Sequence, residues 1–210
     1  PLGLLPLLAG CGQLSGPSLE ITMLVGSALG GFCTEAAAAI ERDPPRLPDG
    51  TRVLLRCRAS GSGDVVSEME SHARAVLQGG GRADDPAIPT LLSVDGEIYQ
   101  ELLRHRLQAI APRRSLIPPS ADAPVLATSP MVLMTTPALV KGLQRPQPFL
   151  AMARADNHQQ LDPAAPPQPI RFVQTAPTRS NSGLQTLVAM VAEVSGKRPE
   201  QLTLTDVKAH

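Results

Sequence analysis

Ile21–Gly26 is a short apolar run ended by Gly26-Ser27, which predicts a buried strand. The period then changes. Over Ala28–Arg42 the apolar residues Phe32, Cys33, Ala36, Ala37 and Ile40 recur at three- and four-residue spacing, so a helix is expected until Asp43-Pro44-Pro45 stops it. Val53–Ala59 alternates, with Val53, Leu55, Cys57 and Ala59 on one side and Arg56 and Arg58 on the other. The turn Ser60-Gly61-Ser62-Gly63 leads into a second helical stripe, Val65, Met69, Ala73 and Val76, from about Asp64 to Gln78. Strand, helix, strand, helix is the grammar of a parallel sheet covered by helices, so the fold class is α/β.

Farther along, Gly79–Pro89 reads as a loop and Gly96–Ile110 as a third helix, with Ile98, Leu102 and Ile110 on one face. Val125–Thr135 is apolar and predicts another strand, interrupted at Ser129-Pro130. Thr136-Pro137 is a helix start. Gln144–Pro169 is proline-rich and polar, a surface excursion with little regular structure. Ile170–Thr175 predicts a strand and Ser180–Ser195 a turn plus helix, ended by Gly196.

The 22 prolines among 210 residues are about twice average usage, and 3 Phe, 1 Tyr and no Trp leave the core to aliphatic side chains. With 19 basic and 19 acidic residues the formal charge is zero, which argues against a nucleic-acid partner, since such proteins need a basic surplus. The few aromatics offer no stacking platform. No stretch approaches the roughly 18 apolar residues of a membrane-spanning helix.

Three strand-to-helix junctions are built alike, namely Gly26-Ser27-Ala28, Ser60-Gly61-Ser62-Gly63 and Thr178-Arg179-Ser180-Asn181-Ser182-Gly183. Each puts hydroxyls and glycine-exposed N–H groups at a helix N-terminus, a place receptive to anions, on the sheet edge where open α/β folds bind ligands. Ser129 would be a fourth member. Helix capping is the stronger reading of any one junction, and it is the three together that point to a shared cleft. Asp64, in the first turn of the second helix, would repel an anion there. The four histidines, His72, His105, His158 and His210, are scattered, and HExxH, Cys-x-x-Cys, GxSxG and P-loop patterns are absent. Neither an enzyme, a metal site nor a cofactor is therefore expected.

Cys33 and Cys57 fall on surfaces that meet in a strand–helix–strand unit. They are either a disulfide, as export would permit, or two small buried side chains. The run Pro1–Cys11 resembles the apolar part of a secretory signal, and Leu8-Ala9-Gly10-Cys11 resembles a bacterial lipobox, in which Cys11 would carry lipid. A short buried helix or strand ending in Cys is the other reading. The missing start and the close at His210 read as a fragment at both ends.

The runs Val25–Gly30, Cys57–Val66, Ser93–Gly96, Ala127–Val132 and Pro177–Leu184, taken in order, resemble bacterial extracellular solute-binding proteins of the type II periplasmic-binding fold. The nearest likeness is to the branch in which that module precedes a von Willebrand factor A domain. The resemblance covers residues from about 18 onward. It implies two α/β lobes closing on a small ligand, with Ser129-Pro130 at the crossover between them. The division would be 1–17 signal remnant and tether, 18–128 lobe I and 129–210 an incomplete lobe II. Ser27, Ser60, Gly61, Ser62, Gly63, Ser129, Ser180, Asn181 and Ser182 would face the ligand. The Asp-x-Ser-x-Ser metal pattern of a von Willebrand A domain is absent, so the resemblance puts any such domain beyond His210.

The expectation is a lipid-anchored, exported solute-binding module for a small molecule or ion, anions included, working with a transporter permease or envelope protein. The alternative is an envelope scaffold that uses the same fold without a small ligand.

Overall fold

In the computed structural model, which describes residues 16–209, three segments pair in parallel in the order β2-β1-β3. The central strand β1 (Ser18–Gly26) is flanked by β2 (Arg52–Ser60) and β3 (Leu91–Ser93). The register sets Gly26 beside Ser60 and Val25 beside Ser93, so all three carboxyl ends reach one edge together. Leu24 and Val25 point to opposite faces and both are buried, as expected of a strand covered on both sides.

Adjacent side chains of β2 show which helix covers which face. Cys57 is joined to Cys33 of α1 (Gly30–Arg42) by a disulfide with Cα atoms 5.8 Å apart. Its neighbour Arg58 donates to Glu68 of α2 (Ser62–Leu77). Successive strand side chains alternate, so α1 and α2 lie on opposite faces. The alternation of apolar residues against Arg56 and Arg58 is therefore real, and the arginines are held by Glu20 and Glu68. On the α2 face, Val66 joins Tyr99, Leu103 and Leu107 of α3 (Glu97–Ile110) in a buried cluster, with Leu92 and Leu184 packed against it.

The remaining chain is built differently. A 3-10 turn at Pro137–Leu139 leads into α4 (Val140–Leu143), followed by α5 (Pro148–Arg154) and α6 (His158–Leu161). Leu139, Leu161 and Ala165 form a second small cluster with Leu143, Ala151, Met152, Ala155 and Ile170 around it. The long helix α7 (Asn181–Ser195) follows, and α8 (Leu204–Ala209) closes the described chain. Glu193 of α7 accepts from the Leu150 N–H at 2.8 Å, while Leu184 at the other end of α7 touches the α2–α3 cluster. One helix thus reaches from the α2–α3 cluster to α5. The described residues form a mixed α/β architecture with a three-stranded parallel sheet and eight helices.

Two expected strands do not form. Val125–Thr135 and Ile170–Thr175 run without turn, bend or ladder pairing. Val125 is 78% exposed, Met134 94% and Val173 90%, although Ile170 packs on the second cluster and Phe172 meets Phe149 edge to face. Pro130 also removes a ladder donor in the middle of the first segment. The expected irregular stretch Gln144–Pro169 instead contains α5 and α6. Prolines there do not forbid helix, because Pro148 occupies the first turn of α5, where its missing N–H is no loss.

Candidate functional site

The loops that leave the carboxyl edge of the sheet meet a fourth segment, Thr175–Gly183, brought in from far along the chain. Gly63 N–H donates to the Arg179 carbonyl at 3.1 Å. A Cβ on Gly63 would stand 1.9 Å from the Thr178 carbonyl oxygen, so glycine is what lets the two backbones touch. Arg179 reaches back with Nε and Nη2 to the Asp64 carboxylate, at 2.9 Å for the shortest contact. This guanidinium holds the Asp64 carboxyl below its ordinary pKa. The negative charge expected to repel an anion from this turn is therefore matched within the protein.

A second tie runs through Tyr99. Its ring is buried in the α2–α3 cluster, and its hydroxyl donates to the Pro177 carbonyl at 2.7 Å. Burial, with the Asp64 charge as a smaller contribution, pushes the Tyr99 phenol above its ordinary pKa, so it stays a donor.

Behind these contacts lies Asp95, just past β3. Its backbone N–H donates to Ser62 Oγ at 3.0 Å, and Ser62 Oγ donates to Asp95 Oδ2 at 3.2 Å. Ser62 is fully buried. The Asp95 carboxylate also fills the space over Gly26, where a Cβ would come within 2.2 Å of it. The Asp95 carboxylate thus bonds Ser62 just beyond β2 and packs over Gly26 at the end of β1.

Helix capping does not account for the serines. The residue capping α2 is Gly61, and Ser180, which caps α7, makes no side-chain cap bond. Ser180 Oγ instead lies 3.0 Å from Ser182 Oγ, which lies 2.9 Å from Thr175 Oγ1. This chain of three hydroxyls lies at the protein surface. Beside it, Asn181 Oδ1 is buried against Gly96 without a hydrogen-bond partner among the described residues.

Most of the expected site residues come together. Ser60, Gly61, Ser62 and Gly63 share one edge with Ser27, which is exposed just beyond Gly26, and Gly63 contacts the segment carrying Ser180, Asn181 and Ser182. Ser129 does not join them. It is exposed in the unpaired stretch and makes no hydrogen bond to these loops. Cys11 lies outside the described residues. Sequence reasoning missed the roles of Asp95 and Tyr99. The signal that could have found them was an acid and a glycine soon after the short apolar run Leu91-Leu92, at a helix start.

Two cavities lie elsewhere. One of about 420 Å³ is lined by α5 and its neighbours, including Arg145, Leu150, Arg154 and Leu161. Another of about 290 Å³ lies between Met131–Leu133 and α7. Among the described residues no cluster of three or more metal-ligating side chains occurs. Comparison with known protein families, with curated proteins and with solved structures gives no match to this chain.

Proposed function

We propose that the chain is an extracytoplasmic solute-binding module whose ligand rests on the carboxyl edge of the sheet. The observation that carries this reading is that the Ser60–Gly63 turn at the sheet edge touches the segment carrying Ser180 and Ser182, whose hydroxyls make no helix-cap bond. The surface hydroxyls of Thr175, Ser180 and Ser182 are the groups that would meet the ligand. Closure would come from a second lobe in the C-terminal half, as in the two-lobed periplasmic-binding plan. The Cys33–Cys57 disulfide is in keeping with an oxidising compartment. Lipidation at Cys11 and delivery to a permease belong to the same proposal. No described helix is long and apolar enough to cross a membrane.

The scaffold alternative has its own support. Ser62 is spent on Asp95 and Arg179 on Asp64, so two of the most polar groups at the edge are already paired inside the protein. Native mass spectrometry of the chain purified after export decides between them. A co-purifying small molecule, lost when Ser180 and Ser182 are both changed to Ala, is the expected result. A protein that carries nothing, or cargo that survives the double change, would overturn the solute-binding reading.

A further inference from the structure

The cleft of about 420 Å³ beside α5 has an unusual charge balance for a protein of zero formal charge. Its lining includes Arg145 and Arg154 and no carboxylate. Some arginines elsewhere are matched, Arg74 and Arg106 by Glu70 and Arg104 by Glu101, while others such as Arg42 and Arg171 make no ion pair among the described residues. The Arg154 side chain makes no hydrogen bond or ion pair among the described residues, and that of Arg145 makes one, from Nη2 to the Leu161 carbonyl at 2.8 Å. That bond anchors the Arg145 guanidinium at the cleft while leaving its other N–H groups free.

The nearby acids bond neutral donors of the cleft and pair with neither arginine. Asp156 accepts from Gln160 Nε2 at 3.0 Å, and Glu193 accepts from the Leu150 N–H at 2.8 Å. Leu150, Ala151, Ala155 and Leu161 supply the apolar part of the lining. The volume is in the range that holds a small organic molecule, and two guanidinium forks over aliphatic side chains suit a planar or tetrahedral oxyanion with an apolar body.

We propose that this cleft is a ligand site separate from the sheet edge, taking a small organic oxyanion, carboxylate or phosphate, attached to a short aliphatic chain. Arg145 and Arg154 neutralise the head, and Leu150 and Leu161 cover the tail.

The test uses hexanoate and hexyl phosphate, with hexanol as the uncharged control, titrated into the isotope-labelled full chain by NMR. Saturable shifts at the Leu150, Ala151 and Gln160 amides are expected with at least one of the anions, and the one bound more tightly identifies the head group. Arg154→Gln should weaken binding about tenfold or more, the size of one charge-assisted hydrogen bond. Because the Arg154 side chain makes no hydrogen bond or ion pair among the described residues, this variant should stay folded, whereas Arg145→Gln also removes the Leu161 tie. Arg179→Gln, at the sheet edge, should leave the titration unchanged even if the sheet edge binds nothing. No saturable shift with either anion, equal binding of hexanol, or an unaltered titration in Arg154→Gln would overturn the proposal.

Discussion

The two halves of the molecule answer similar sequence patterns in opposite ways. Ile21–Gly26 and Val125–Thr135 are both apolar runs closed by small or hydroxyl residues. The first sits between two parallel neighbours with Leu24 and Val25 buried, whereas the second is unpaired with Met134 almost fully exposed. An apolar run states that a segment can be buried in a sheet. Whether it is depends on a partner in register, and only the first half has one. The first half is also stapled and salt-bridged across its layers, while the second relies on short helices around Leu139 and Leu161.

The largest expected effect comes from removing the staple. Replacing Cys33 and Cys57 together by Ala should cost about 3–4 kcal/mol on the chain-entropy model, lowering the melting midpoint by roughly 10 °C. Hydrogen exchange should quicken in α1 and β2 and stay unchanged in α5 and α6. A midpoint that does not move on reduction of the wild type would break the contrast between the halves.

Next comes Gly63→Ala, which drives a methyl group into the Thr178 carbonyl. A loss of about 1–3 kcal/mol is expected, as for overpacking elsewhere, with exchange protection lost at Arg179–Leu184. If that segment stays protected, Tyr99, Leu184 and the Arg179–Asp64 pair hold it without the close approach at Gly63.

A smaller effect should follow acidification. Glu101 is held down to about 2 by the Arg104 guanidinium and by the Ser120 N–H and hydroxyl, against an ordinary 4.5. A lowered folded-state pKa contributes stability that is full above 4.5 and is lost as pH falls toward about 2. The melting midpoint should therefore fall across that window, and less steeply in Glu101→Gln. Asp64, also lowered by its arginine, acts in the same direction. An identical acid profile in the variant would remove Glu101 from the account.

The smallest effect should be at the exposed apolar positions. Met134→Ser and Val173→Ser should each change stability by no more than about 0.5 kcal/mol, read by thermal unfolding. A large loss would show that these segments are buried in solution.

Much of the first half was legible in the sequence because its periods are long and clean. β1, β2, α1, α2, α3 and α7 are found by apolar spacing, and Gly196 ends α7 in the left-handed conformation that suits glycine. The faces are less well read: α3 buries Tyr99, Leu103 and Leu107 rather than the row begun by Ile98, and Phe32 of α1 is exposed. β3 was not legible, since three residues, Leu91–Ser93, carry no period of their own and are a strand only because Met23–Val25 lie beside them. Val125–Thr135 and Ile170–Thr175 misled for the converse reason: they have the composition without the neighbour. At the site, the Gly-Ser turns were visible as places where backbone is bared. Their partners were not, because pairing Asp64 with Arg179 or Tyr99 with Pro177 depends on contacts 115 and 78 residues apart.

That long reach has a consequence for biosynthesis. The α2–α3 cluster is covered by Leu184, and its sheet edge is closed by Thr178 and Arg179, all of which leave the ribosome long after α3. The N-terminal half therefore waits with part of its apolar surface bare while the C-terminal excursion is translated. Such an interval exposes a chain to aggregation and favours chaperone attendance. A nascent chain halted before α7 should be captured by holdases, and one extended past Ser195 should be released.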